Sequence, residues 1–257
     1  MWAAVMNLPK IVEDAVVLSN KALTADVYEL QVKAPESAKL AAPGMFCQLG
    51  LSRGQGVLLR RPVSIADAAD NTLTFIYRLV GKGTVEMSRL KPGEEISCLG
   101  PLGHGFTLEA KKPLLVGGGM GAAPLLFLAK AYKGKAELLV GGRNRQELFW
   151  TEIYKDIVSK IHITTDDGSL GKKGFTVDFL PELLQNNDYD TIIVCGPEIM
   201  MRGIYKVAKE FGVKCQVSLE KRMACGLGAC LSCSVDTING RKKVCKDGPV
   251  FWAEEVL

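Results

Sequence analysis

Two periodicities divide the chain. In Val27-Tyr28-Glu29-Leu30-Gln31-Val32 the apolar residues Tyr28, Leu30 and Val32 alternate with polar ones, and Leu73, Phe75, Tyr77 and Leu79 repeat the pattern. Period two marks a strand with one buried face. Pro35, Pro43-Gly44 and Pro92-Gly93 punctuate this region as turns. Short strands of this kind predict an antiparallel β-barrel over residues 9–110. Beyond it the pattern changes. Pro113–Val116, Glu137–Val140, Ile161–Thr164 and Thr191–Cys195 are continuous apolar or β-prone runs. Residues 146–155, 176–185 and 198–211 read as helices between them, and Gly117–Pro124 opens another after the first run. Buried runs joined by helices predict a parallel α/β sheet over 111–218. Residues 219–257 follow neither period and are too short to build a core without a metal or a surface to lie on. The expected fold class is therefore α+β multidomain: barrel, parallel α/β unit and small C-terminal segment.

Composition narrows the class. Apolar residues make up 47% and charged residues 23%, which excludes disorder and collagen-like structure. A net charge of +4, without a basic stripe carrying aromatics, gives no reason to expect nucleic acid. No apolar run reaches the roughly 18 residues a membrane span needs. The opening MWAAVMNLPK has no basic region and runs on to Glu13 and Asp14, a poor signal peptide. A cytoplasmic location is expected, where clustered thiols are more often metal ligands than disulfides.

Of eight cysteines, Cys47, Cys98, Cys195 and Cys215 stand singly among apolar neighbours. The other four form Cys225-x4-Cys230-x2-Cys233, with Cys245 after eleven intervening residues. This is the plant-type ferredoxin spacing for a 2Fe-2S cluster. Gly226 and Gly228 would let the loop backbone approach inorganic sulfide. The competing reading is structural zinc, which favours paired C-x2-C knuckles, and only Cys230 and Cys233 form one.

Four further motifs carry chemistry less specifically. Arg60-Arg61-Pro62-Val63-Ser64 is either a basic loop ended by proline or an anion site. Gly81-Lys82-Gly83-Thr84, with Thr84 as a helix cap, is either a tight turn or a nest of N–H groups for a phosphate. Gly117, Gly119 and Ala122 satisfy G-x-G-x-x-A after a strand, with Gly121 in the same turn, as in dinucleotide sites. The acid usual after the second strand is replaced by Gly141-Gly142-Arg143. Cys195-Gly196-Pro197 ends the fourth strand, where a nicotinamide ring would lie if Cys195 is not simply a core thiol. His104 and His162 stand alone, and no G-x-S-x-G elbow exists.

Barrel, nucleotide unit and cysteine tail in this order resemble the ferredoxin-NADP reductase superfamily. Arg61-Pro62-Val63-Ser64 looks like its flavin-binding element. The resemblance implies that Arg61 holds the FAD pyrophosphate, with Ser64 near the flavin ring. It further implies flavin contacts at Ile76, Tyr77 and Arg78, phosphate contacts at Gly83 and Thr84, and nicotinamide contacts at Gly117–Pro124 and Cys195–Pro197, Cys195 being the candidate catalytic residue. Ser218-Leu219-Glu220-x-x-Met223-Ala224-Cys225 narrows the likeness to the electron-transfer subunits of class 1B, NAD-linked dihydroorotate dehydrogenases. Gly100-Pro101-Leu102-Gly103-x-Gly105-Phe106 and Thr165-Asp166-Asp167-Gly168-Ser169-x-Gly171 also fit, although His104 stands where Asn is expected. Arg143 and Arg145 would suit a 2′-phosphate, so NAD over NADP rests on the resemblance.

That family implies FAD, a 2Fe-2S cluster and NAD as cofactors. It implies an FMN-containing catalytic subunit as partner, in a heterotetramer of two of each, supplying electrons from dihydroorotate in pyrimidine biosynthesis. Related reductase subunits of transhydrogenase, sulfide dehydrogenase or hydrogenase complexes are the alternative, and a zinc-stabilised binding module is a third reading. Leu227, Leu231, Val250, Phe251 and Trp252 are expected to include a docking face for the partner.

Overall fold

A computed structural model describes residues 9–51 and 58–257. The stretch read as a poor signal peptide lies largely outside them, at residues 1–8. Six strands, β1 (Val12–Ala22), β2 (Val27–Lys33), β3 (Phe46–Gly50), β4 (Arg61–Ala69), β5 (Thr72–Arg78) and β6 (Glu95–Leu102), close an antiparallel barrel in the order β1-β2-β5-β4-β3-β6. The two strands whose alternation is clearest in the sequence pair with each other: Tyr28 opposes Tyr77, Leu30 opposes Phe75 and Val32 opposes Leu73. Leu30, Val32, Leu73 and Phe75 are fully buried. Burying each such side chain contributes about 1.5–3 kcal/mol, which selects this register over a one-residue slip. Cys47 and Cys98 are core thiols, and burial with Cys98 alongside pushes the Cys47 thiol well above its ordinary pKa. Two short helices, α1 (Pro35–Leu40) and α2 (Lys82–Ser88), complete this part.

The second sheet has seven strands: β7 (Pro113–Gly118), β8 (Glu137–Gly142), β9 (Lys160–Thr165), β10 (Lys172–Lys173), β11 (Thr191–Cys195), β12 (Lys214–Ser218) and, from the tail, β15 (Val250–Trp252). Their order is β10-β9-β8-β7-β11-β12-β15, parallel except for β15. Helices α3 (Ala122–Ala131), α4 (Trp150–Tyr154), α5 (Thr176–Asn186) and α6 (Glu198–Glu210) connect the strands. The helix expected over 146–155 is instead a 3-10 turn, Arg145–Leu148, followed by α4. Trp150 and Tyr154 are fully buried, and the Tyr154 hydroxyl donates to the Ala122 carbonyl at 2.6 Å. This tertiary anchoring outweighs local helix propensity.

The tail adds the hairpin β13 (Ser234–Thr237) and β14 (Gly240–Lys243) and the single turns α7 (Val244–Asp247) and α8 (Ala253–Val256). The chain divides into two compact units. One comprises the barrel with 220–235 and 241–249; the other comprises 106–219 with 236–240 and 250–257. Among the described residues no helix is long and apolar enough to cross a membrane.

The tail strand narrows one expectation, that part of the set Leu227, Leu231, Val250, Phe251 and Trp252 forms a docking face. Val250 and Phe251 are buried, and Phe251 pairs with Val217 as β15 joins the sheet edge. They are therefore core residues and unavailable to a partner. Phe251→Ala should destabilise the protein by about 3–5 kcal/mol, as core aromatic truncations do. Urea unfolding followed by tryptophan fluorescence measures this; a change below about 1 kcal/mol, the level of a surface substitution, would contradict it.

Candidate functional site

The cysteine loop is built on two left-handed glycines, Gly226 at φ 70° and Gly228 at φ 80°. They turn the backbone so that N–H groups face sulfur. Leu227 N–H donates to Cys225 Sγ at 3.3 Å, Gly228 N–H to Cys245 Sγ at 3.1 Å, and Cys245 N–H to Cys233 Sγ at 3.4 Å. The thiols fall into neighbouring pairs, Cys225 with Cys230 and Cys233 with Cys245. The pairs differ in environment. Cys230 is exposed, and the Ser232 hydroxyl, the Ser232 backbone and Cys225 hold its pKa down to about 6. Cys233 and Cys245 are buried, and burial together with the adjacent Cys233 pushes Cys245 up to about 12.

Three thiols from one loop and a fourth from α7, with backbone donors aimed at their sulfurs, fit a two-iron cluster.

The loop lies on the barrel unit. A Cβ at Gly226 would stand 2.6 Å from Gln48 Cγ of β3. Gly103, at φ 79°, meets the tail likewise, since a Cβ there would fall 2.4 Å from the Gly248 carbonyl oxygen. His104 N–H donates to that same carbonyl at 2.6 Å. His104 thus anchors the tail through its backbone, while its side chain stays exposed. Val244 N–H donates to the Cys233 carbonyl at 3.1 Å, joining α7 to the cysteine loop.

On β4 the two arginines separate in role. Arg60 is tied into the barrel, donating to the carbonyls of Gln48 at 3.2 Å and Ser97 at 2.8 Å. The Arg61 guanidinium instead lies over the start of α2, where a Cβ on Gly83 would fall 2.0 Å from its Nε. The structure thus brings Arg61 to Gly83, two candidates 22 positions apart in the sequence. It also donates to the Leu59 carbonyl. Thr84 is not the helix cap that was expected; Gly81 is. The Thr84 hydroxyl accepts from Val80 N–H at 2.9 Å and Gly81 N–H at 3.2 Å, so it shapes the turn. Pro62 is exposed, Val63 is buried and Ser64 is half-buried opposite Phe46. On β5 Ile76 is buried, and the Tyr77 hydroxyl hydrogen-bonds Asn20 at 3.1 Å. Burial raises the Tyr77 pKa far above the ordinary phenol value. Arg78 lies 3.1 Å from the Asp26 carboxylate.

In the parallel sheet, the strands from β7 to β10 are added towards one edge and β11 and β12 towards the other, so the strand order reverses between the parallel neighbours β7 and β11, and ligands bind at such switch points. The two glycine motifs meet there. A Cβ at Gly121 would strike the Cys195 carbonyl oxygen at 2.1 Å, and one at Gly196 would lie 3.2 Å from Gly118 Cα. Gly117 packs against Ala122, while Gly119 takes φ 55° with open space beside it. Pro197 starts α6 as its N-cap. Cys195 is half-buried, its Sγ 3.7 Å from the Ser218 carbonyl oxygen.

Glu147 is the residue the sequence reading missed. It sits beside Gly142 at the end of β8, accepting from Arg143 N–H at 2.9 Å and from Arg143 Nε at 2.7 Å. A carboxylate therefore does stand after the second strand, supplied by the 3-10 turn, and it occupies Arg143. Arg145 is held by the Ser169 carbonyl at 3.2 Å. The Thr165–Gly171 loop closes on itself, the Thr165 hydroxyl donating to the Leu170 carbonyl at 2.8 Å. His162 is buried against Glu137 at 2.7 Å, at the opposite end of these strands, and is structural. Burial works to raise the Glu137 pKa, but hydrogen bonds from Tyr189 and His162 outweigh it and the net shift is downward.

Residues 220–257 match the family model of the iron-sulfur cluster binding domain of dihydroorotate dehydrogenase B. The electron transfer subunit of dihydroorotate dehydrogenase B (NAD(+)) from Caldanaerobacter subterraneus subsp. tengcongensis is 39% identical, covering 94% of this chain and 96% of its own. The subunit of the same name from Clostridium acetobutylicum is also 39% identical, with coverage of 90% and 91%. Among solved structures, an NADH-dependent reduced ferredoxin-NADP oxidoreductase, studied for flavin-based electron bifurcation, superposes with a TM-score of 0.85 at 33% identity, covering 95% of this chain and 90% of that one. A Neisseria gonorrhoeae ferredoxin NADP+ reductase with bound FAD and NADP shares the fold, with a TM-score of 0.63 at 19% identity over 78% and 92%.

Two outcomes test the site. Replacing Cys225, Cys230, Cys233 or Cys245 by Ser should bleach or destabilise an iron-sulfur chromophore, whereas Cys98→Ser should leave it intact. Chemical assay should find iron and acid-labile sulfide in equal amounts; zinc without sulfide would refute the cluster. Arg61→Ala should weaken FAD binding by about 1.5–3 kcal/mol, the scale of a charge-assisted hydrogen bond. The folded variant should then purify largely without flavin, and full flavin occupancy would refute the assignment.

Proposed function

The chain belongs to the family of electron-transfer subunits of NAD(+)-linked dihydroorotate dehydrogenase B, and from that premise we propose how its residues divide the work. The FAD-binding unit is assigned to 9–110, the NAD-binding unit to 111–218 and the cluster-binding segment to 219–257. Cys225, Cys230, Cys233 and Cys245 hold the 2Fe-2S cluster. Arg61, beside Gly83, binds the FAD pyrophosphate, with Pro62, Val63, Ser64, Ile76, Tyr77, Arg78 and Thr84 shaping the flavin site. Gly117, Gly119, Gly121, Gly196 and Pro197 line the nicotinamide site, with Cys195 at the ring. When bound, flavin links one-electron transfer at the cluster to two-electron hydride transfer at nicotinamide. The protein's contribution is placement and electrostatics. The Arg143–Glu147 pair favours NAD: a 2′-phosphate would meet a carboxylate where it needs an unengaged cation.

The observation that carries the reading is the asymmetry of the thiol pairs. Cys233 and Cys245 are buried, while Cys230 is at the surface. A cluster there has one edge open to a donor protein. Leu231 stands beside that edge, 59% exposed and at φ 61°, a backbone conformation unfavourable for leucine. Strain of this kind persists where function needs it. The partner is an FMN-containing catalytic subunit, in an assembly of two copies of each chain. The cytoplasm is the proposed location, and pyrimidine biosynthesis the process served.

A second reading has support in the bifurcating oxidoreductase noted above. A subunit of that kind would carry the same cofactors and dock on a different partner. The partner decides between them. Alone, the chain should pass electrons from NADH to an artificial dye and fail to oxidise dihydroorotate. Adding the catalytic subunit should produce dihydroorotate-dependent NAD+ reduction. Leu231→Glu should slow that coupled reaction about tenfold, equivalent to about 1.4 kcal/mol of lost docking energy, with dye reduction unchanged. Dihydroorotate oxidation by the chain alone, or normal coupling in the variant, would overturn the docking assignment.

A further inference from the structure

Gln48 lies at the centre of β3. Alternation along this strand sends Cys47 and Leu49 into the barrel, where both are buried. Phe46, Gln48 and Gly50 therefore take the outer face. An outward glutamine is ordinarily solvated, yet Gln48 is 0% exposed. The cysteine loop covers it. A Cβ built on Gly226, the residue after Cys225, would lie 2.6 Å from Gln48 Cγ and 2.8 Å from Nε2. Neither Nε2 nor Oε1 has a hydrogen-bond partner among the described residues. A buried carboxamide with both ends unpaired is strongly unfavourable and is rare in native proteins.

The surroundings say what is missing. The nearby loop N–H groups of Leu227 and Gly228 already point at Cys225 and Cys245 sulfurs. Thiolate and sulfide sulfur can only accept hydrogen bonds, and the carboxamide Nε2 is a donor. The backbone of Gln48 is fixed as well: it pairs with Pro62 across β4, and its carbonyl accepts from Arg60. The side chain is thus held in place against the loop with a donor unused.

We propose that Gln48 donates a hydrogen bond to a cluster sulfur at the Cys225 end and thereby raises the reduction potential of the cluster. The inference rests on the 2Fe-2S reading above. Reduction adds negative charge to the sulfurs, so a fixed donor stabilises the reduced state over the oxidised one. Gln48 is then a tuning residue that neither ligates iron nor exchanges electrons. It biases the cluster towards accepting an electron from the partner.

The test uses the full chain with its flavin and cluster bound. Gln48→Met keeps the length and removes the donor; Gln48→Glu keeps the shape and places a negative charge there. Redox titration monitored by EPR should give a cluster potential shifted negative in the Met variant and further negative in the Glu variant. The g-values of the reduced cluster should change, and the flavin spectrum should not. An unchanged potential and EPR signal in a folded Gln48→Met protein would overturn the proposal, as would a shift confined to the flavin. Wild-type protein labelled with 15N on glutamine side chains gives an independent measurement should the variants fold poorly. Its reduced cluster should show a 15N hyperfine coupling in pulsed EPR, and absence of that coupling would equally overturn it. A wild-type protein with no sulfide-containing cluster would refute the underlying 2Fe-2S reading, an outcome distinct from a normal cluster indifferent to Gln48.

Discussion

The cysteine loop lies so close to β3 that a single methyl group at Gly226 would strike Gln48. A loop of this length buries too little apolar surface to hold its own shape. Its geometry comes from the surface beneath it and from the metal centre it would enclose. Close approach at Gly226 and Gly103, together with the His104–Gly248 hydrogen bond, fixes the loop where its N–H groups can face sulfur. Any side chain at Gly103 would also have to adopt a left-handed backbone conformation, so this contact is specified twice.

The same constraint recurs in the parallel sheet. Gly121 and Gly196 let the turns after β7 and β11 close on each other at the switch point. Tyr154, wholly buried, secures the start of α3 by bonding the Ala122 carbonyl. Backbone groups are thereby presented at the carboxyl end of the sheet on a rigid base. This suits a ligand recognised largely through phosphate and amide groups, because close backbone contact reads shape and charge without long side chains.

Charge is handled by local pairing. Arg60 and Arg61 are adjacent, yet one is consumed by barrel carbonyls and the other extends over α2. Arg143 is engaged by Glu147, and Glu137 by His162 and Tyr189. A formal charge of +4 says nothing of this division, since each group's role depends on which neighbour it reaches first.

Much of the molecule was legible before folding. Alternation in 27–32 and 73–79 announced two strands that prove to be paired partners, because period two is a local property of a half-buried strand. The cysteine spacing pointed to an iron-sulfur domain for a similar reason: three cysteines on one short loop are a sequence-local pattern. Long-range packing was not legible. The break in the expected 146–155 helix, the burial of Val250 and Phe251, and the carboxylate of Glu147 beside Gly142 all depend on which distant surface each segment meets. Gln48 shows the boundary most clearly. Its sequence context, Phe46-Cys47-Gln48-Leu49, marks only a polar residue in an apolar strand. That its amide is sealed beneath the cysteine loop was decided by tertiary structure alone, because burial of a polar group depends on elements brought together from opposite ends of the chain.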